Sequence, residues 1–94
     1  MGIIESFQYH FIISGRVQSV GYRYSSRNYA QNIDLVGWVK NRADGKVEVV
    51  AEGNKITLEK LLTWLKQGPR FADVSNVEVT HYPATGEFKK FSIR

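Results

Sequence analysis

Phe7-Gln-Tyr-His-Phe-Ile-Ile-Ser14, Gly15-Arg-Val-Gln-Ser-Val-Gly21 and Tyr22-Arg-Tyr-Ser-Ser-Arg-Asn-Tyr-Ala-Gln-Asn32 follow one another, and their change of rhythm decides the fold. The first stretch alternates. Phe7, Tyr9, Phe11 and Ile13 fall on one face and His10 on the other, which predicts a strand ended by Gly15. The third is helical in spacing, with Tyr22, Ser26, Tyr29, Ala30 and Ile33 able to share one stripe. Between them lies a short connection bounded by Gly15 and Gly21. Strand, glycine-bearing loop and helix in that order open a β-α-β unit.

Working outward, residues 35–41 and 46–52 read as two strands, and Asn41-Arg-Ala-Asp-Gly45 between them carries turn chemistry, with Asp-Gly favouring a tight hairpin. Gly53-Asn54 opens a second helix with Asn54 as its N-cap. Leu58, Leu61, Leu62 and Leu65 recur at helical spacing, Ile56 joins them at the first turn, and Gly68-Pro69 stops the helix. Val74 to Tyr82 is a fourth strand with Val77, Val79 and His81 in phase. Pro83-Ala-Thr-Gly86 turns the chain, and Phe88 to Ile93 forms a short terminal strand. The order β-α-β-β-α-β plus a short terminal strand predicts a single α+β domain over residues 1–94. It is a ferredoxin-like split β-α-β, with an antiparallel sheet and two helices on one face. A right-handed first crossover makes strands one and two parallel, with strand three inserted between them. Their C-terminal ends then meet at one end of the sheet, so the 15–21 loop and Asn41 become neighbours.

Composition narrows the chemistry. There are no cysteines, which excludes disulfides, thiolate catalysis and Cys-ligated metal centres, and 2 histidines are few for a His-rich one. A metal centre is not expected from this composition. The start Met-Gly-Ile-Ile-Glu-Ser-Phe-Gln-Tyr-His10 lacks the basic and long apolar regions of a signal peptide, and no apolar run approaches a membrane span. The expectation is a cytoplasmic monomer with no membrane partner. A net charge of +4 suits an anionic ligand, and equally suits plain solubility.

The loop concentrates what is left. A turn containing two glycines can aim backbone N–H groups inward as an anion nest, and the start of the next helix adds unpaired N–H groups and its positive dipole end. Arg23, in that helix's first turn, opposes the dipole at a typical cost of about 0.3–1 kcal/mol, a cost that a bound anion reverses. Its guanidinium matches phosphate oxygens as a fork, where lysine would not. From spacing alone, Arg23 is equally a solvated surface arginine, the glycine-bearing loop is a weak signal that simple turn geometry explains, and Asn41 reads first as a strand-end turn residue.

Gly15-Arg16-Val17-Gln18-Ser19-Val20-Gly21-Tyr22-Arg23 resembles the acylphosphatase phosphate-loop signature G-x-V-Q-G-V-x-[FY]-R. Gly37-Trp38-Val39-Lys40-Asn41-Arg42-Ala43-Asp44-Gly45 resembles that family's second signature, G-[FYW]-[AV]-x-N-x-x-D-G. The resemblance continues through Val47-Glu48-Val49-Val50-Ala51-Glu52-Gly53, Gly68-Pro69 and Phe91-Ser92-Ile93. It implies an enzyme that hydrolyses the carboxyl–phosphate anhydride of a small-molecule acyl phosphate to carboxylate and inorganic phosphate, without metal or cofactor. It implies further that Arg23 binds the phosphoryl oxygens together with the loop Gly15, Arg16, Val17, Gln18, Ser19 and Val20, and that Asn41 positions the attacking water. Those roles suit a reaction that asks for positioning and charge stabilisation. A carboxylate leaves without much protonation. Asparagine is no base, so a phosphate oxygen of the substrate is the expected proton acceptor.

Ser19 departs from the signature, which has glycine there. In a left-handed conformation serine would cost about 1–2 kcal/mol, and its hydroxyl would either crowd the phosphate or donate to it. The remaining polar residues read as structural: His10 and His81, and the acids Asp44, Glu48 and Glu52, which suit an anion site badly. Trp38, Trp64 and Tyr24 read as core or rim. Two other functions fit the fold. One is a single-stranded RNA-binding module using Tyr9, Phe11 and Phe91 as stacking platforms. Against it, Lys46-Val-Glu-Val-Val-Ala-Glu52 is apolar and acidic and lacks an RNP-type pattern, so no nucleic acid is expected as a partner. The other is an anion-binding regulatory domain with weakened catalysis, which Ser19 encourages.

Overall fold

The alternation read in the first strand sets the layering. Tyr9, Phe11 and Ile13 are buried, whereas the intervening Gln8, His10 and Ile12 are partly exposed. The computed structural model describes residues 5–94, so the reading of a leader falls partly on Met1–Ile4, outside the described residues. The elements are β1 (Phe7–Arg16), α1 (Tyr22–Asn32), β2 (Val36–Asn41), β3 (Val47–Gly53), α2 (Lys55–Gln67), β4 (Asp73–Pro83) and β5 (Phe91–Ile93). The sheet order is β4-β1-β3-β2-β5. As expected, β3 lies between β1 and β2 and antiparallel to both. The terminal strand pairs with β2 in parallel, so the sheet is antiparallel except at this edge.

Both helices pack against the face bearing Tyr9, Phe11 and Ile13, and that layer is the core. Leu58, Leu61 and Leu65 of α2 and Tyr22 and Ala30 of α1 join the inward residues of β1, β2 and β3 there. Each large side chain so buried contributes about 1.5–3 kcal/mol. The helices meet through aromatic rings: Trp64 of α2 lies 5.7 Å from Tyr22 and 5.6 Å from Tyr29, centroid to centroid. The Tyr22 hydroxyl donates to the Leu65 carbonyl at 2.7 Å, which pins the start of α1 to the end of α2.

Several expectations change in detail. β1 does not end at Gly15. It runs through a bulge at Ser14/Gly15, and Gly15 and Arg16 pair with Val74 and Asp73 of β4. Glycine is required there because φ is +122° and a Cβ would sit 2.1 Å from the Asp73 carbonyl oxygen. The β2–β3 hairpin is not a two-residue Asp-Gly turn. Arg42 N–H donates to the Lys46 carbonyl at 2.8 Å and Gly45 N–H to the Arg42 carbonyl at 3.2 Å, around a longer loop that ends in left-handed Gly45. Ile56 does not join the leucine stripe. It is 71% exposed, because two residues advance a helix by about 200° and place it opposite Leu58. The terminal strand begins at Phe91 rather than Phe88, since its pairing with β2 starts at Gly37. The N-cap expected at Asn54 is present, its side chain accepting from Thr57 N–H at 2.9 Å.

Candidate active site

After Arg16 the chain leaves the sheet. Val17 is buried and anchors the loop, while Ser19 and Gly21 both adopt left-handed backbone, at φ 62° and 75°. Serine at this φ carries the strain anticipated for it, about 1–2 kcal/mol. Gly21 occupies the N-cap of α1 and supplies no capping side chain, and no acid lies in the first turn. The first N–H groups and the positive end of α1 are thus open to the cavity in front of them.

That cavity measures about 190 Å³. Val17, Ser19 and Gly21 line it from the loop, Tyr22, Arg23 and Tyr24 from α1, Asn41 from β2 and Ile93 from β5. Arg23 and Asn41, 18 positions apart in sequence, therefore share one cavity, as the parallel arrangement of β1 and β2 requires. Arg23 makes one long contact, Nη1 to the Arg94 backbone oxygen at 3.5 Å. Among the described residues it enters no ion pair. Asn41 Oδ1 is buried and has no hydrogen-bond partner among the described residues. Such an orphaned acceptor costs about 1–3 kcal/mol and asks for an explanation. No acidic side chain lines the cavity. Burial pushes the Tyr22 phenol far above its ordinary value, so it stays protonated and donates to the Leu65 carbonyl.

The other loop residues named from the sequence are placed differently. Gly15 and Arg16 belong to β1 and pair with β4. Val20 packs against the core. Gln18 reaches across to the β2–β3 turn. Of the six, Val17 and Ser19 line the cavity. Gly21, Tyr22, Tyr24 and Ile93 line it too and were not singled out. Gly21 and Tyr22 lie within the first signature and could have been inferred from it, whereas Tyr24 follows its last residue. Ile93 arrives through its pairing with Val39, which nothing local announces.

The histidines and acids that the sequence marks as structural have partners outside the cavity. His10 Nε2 lies 2.6 Å from Glu48 Oε2, and Lys40 Nζ lies 3.7 Å from the other oxygen of that carboxylate. Asp44 pairs with Arg42 at 3.1 Å. His81 stacks on Tyr9 at 4.1 Å. Glu52, 4% exposed, accepts from Gln8 Nε2 at 2.7 Å, from Thr85 N–H and hydroxyl each at 2.9 Å, and from Gly86 N–H at 3.0 Å. Burial pushes its carboxyl up, and these donors outweigh that and hold it below the usual range. Among the described residues no group of three or more His, Asp or Glu could hold a metal ion. The stacking platforms that RNA binding would need are not available, because Tyr9, Phe11 and Phe91 are 3%, 0% and 2% exposed and lie in the core.

Fold and cavity together define a class: a small ferredoxin-like domain with a cationic cavity where two parallel strands end. The family model described as Acylphosphatase matches residues 9–93. The chain is 54% identical over 82 residues to an acylphosphatase of Acaryochloris marina, covering 87% of each. It is 46% identical over 84 residues to one of a Roseiflexus species, covering 89% of this chain and 90% of the other. The crystal structure of acylphosphatase from Bacillus subtilis superposes with a TM-score of 0.91 at 41% identity, covering 94% of this chain and 98% of that one. The chain belongs to the acylphosphatase family, and the enzyme reading of its sequence stands over the RNA-binding one.

Proposed function

We propose that this chain hydrolyses acyl phosphates, with Arg23 and Asn41 as its catalytic residues and the loop ahead of α1 as the phosphoryl seat. The observation that carries the reading is the buried Oδ1 of Asn41, without a hydrogen-bond partner among the described residues, in the same cavity as Arg23, which enters no ion pair among them. The phosphoryl oxygens take the open N–H groups at the start of α1 and the fork of Arg23. A water donates one hydrogen to Asn41 Oδ1, which satisfies the orphaned acceptor and holds the water for in-line attack on phosphorus. As the new P–O bond forms, the bond from phosphorus to the acyl oxygen breaks and the carboxylate departs with that electron pair. The proton lost by the water goes to a non-bridging phosphoryl oxygen, since the cavity lining offers no carboxylate to receive it. Arg23 and the N–H groups stabilise the charge throughout, so the step asks for neither metal nor cofactor.

A cavity of about 190 Å³ suits a small-molecule phosphate better than a polymer. Among the described residues no helix is long and apolar enough to cross a membrane. A cytoplasmic monomer acting alone on a small substrate remains part of the proposal.

Hydrolysis of benzoyl phosphate, followed with and without a chelator, tests the reading. The parent should turn it over equally in both, and Arg23→Ala and Asn41→Ala should each lose about 10²–10³ in rate. Parent-like rates in both variants would remove the site assignment, and loss on chelation would remove the metal-free mechanism.

A further inference from the structure

Gln18 does not line the cavity. Its side-chain amide spans from the loop to the β2–β3 hairpin, where Nε2 donates to the Arg42 carbonyl at 2.8 Å and to the Lys46 carbonyl at 2.9 Å. These two carbonyls also accept the turn's own bonds, from Gly45 N–H and Arg42 N–H respectively. Both hydrogens of one amide are therefore spent at the closing pair of the hairpin. Arg42 directly follows Asn41, the last residue of β2. Among the described residues no other side-chain hydrogen bond joins the 17–21 loop to this turn, and Ser19 and Gly21 beside Gln18 are exposed.

We infer that Gln18 is a positioning residue for the reaction: its amide ties the phosphoryl seat to the hairpin and thereby sets the distance from the seat to Asn41 Oδ1. The role rests on the proposed functions of Arg23 and Asn41. Two seats on separate elements must hold a phosphorus and a water at bonding approach, and a misplacement of about 1 Å can cost about 10²-fold in rate. Arg23 rides on α1 and Asn41 on β2. Without the amide, the loop and the hairpin are joined only through the sheet and core beneath them. Gln18 acts through Asn41 and touches neither phosphate nor water.

The test is a double-mutant cycle on the full chain with benzoyl phosphate as substrate and inorganic phosphate as inhibitor. Gln18→Met keeps the length of the side chain and removes both donors. It should lower kcat about 10–100-fold and leave inhibition by inorganic phosphate unchanged, because the seat itself is intact. In the Asn41→Ala background the same substitution should cause little further loss. An equal fold-loss in both backgrounds would show a merely structural role and overturn the inference, as would a parent-like kcat in Gln18→Met. A parent-like rate in Asn41→Ala alone is a separate result that overturns the underlying reading. Gln18→Asn retains the amide one methylene short, and its intermediate loss in the same cycle decides the matter if the methionine variant does not fold.

Discussion

The two helices begin in opposite ways. α2 is closed at its N-terminus: Asn54 accepts from Thr57 N–H at 2.9 Å and takes up the Thr57 hydroxyl as well, and Glu52 just before it binds the Thr85–Gly86 turn with every acceptor in use. α1 is open. Its N-cap is a left-handed glycine without a side chain, its first turn carries Arg23 against the dipole, and a strained serine precedes it. Both first turns lack an acid and carry a cation, Lys55 in α2 and Arg23 in α1; what α1 lacks is the side-chain cap, and its uncapped start opens on the cavity. Proteins violate such rules mainly where function compensates them, and the difference between the two helix starts is that compensation. The open start has no side-chain cap, and among the described residues its guanidinium makes one long contact, to the Arg94 backbone oxygen, and no ion pair.

The sharpest way to break the contrast is at Arg23. Arg23→Ala should reduce acyl phosphate hydrolysis about 10²–10³-fold, measured as kcat/KM. Inorganic phosphate should raise the melting temperature of the parent and no longer do so in the variant, because a ligand stabilises only the state it binds. Next in size is the closed region. Glu52→Ala leaves the N–H groups of Thr85 and Gly86 without their acceptor and should cost about 1–3 kcal/mol by denaturant unfolding, with the rate per folded molecule retained. Because the folded carboxyl of Glu52 lies below its unfolded value, its contribution is present above the unfolded pKa and disappears as the pH falls through the folded one. Stability measured down an acid titration should therefore drop less steeply in Glu52→Gln than in the parent.

Ser19→Gly should stabilise the fold by about 1–2 kcal/mol, by relieving left-handed serine. Its catalytic rate should change as well, since Ser19 lines the cavity. Identical rate, affinity and stability in parent and variant would mean that the loop is indifferent to this residue. Asn54→Ala should cost about 1 kcal/mol and leave hydrolysis untouched, which separates a cap from a seat. The smallest effect is also the most telling: without phosphate, Arg23→Ala should be as stable as the parent or more so by about 0.3–1 kcal/mol. The same substitution then disables the enzyme and relaxes the helix.

The bounds of α1, the cap at Asn54, the stop at Gly68 and the alternation of β1 were all readable in advance, because each depends on residues within one or two turns of each other. Arg23 and Asn41 were readable too, as members of two signatures. Their sharing of a cavity followed from the topology, since a right-handed crossover leaves few alternatives. The extent of β1 was not readable, because Gly15 is needed by Asp73, a residue 58 positions away that comes within reach only when β4 pairs. Ile56 was misplaced for a local reason, as its apolar character outweighed its angle around the helix.

By itself, then, the order of residues determined the periodicities, the caps and turns, and the two signatures that contain Arg23 and Asn41, all properties decided over a few neighbouring residues. Tertiary structure decided what those groups meet. It brought Ile93 to the cavity through β5, turned Gln18 away from the cavity to the hairpin, and buried Asn41 Oδ1 without a partner among the described residues. Strand pairing across the sheet sets those encounters, and pairing depends on register between distant segments, which no short stretch of sequence contains.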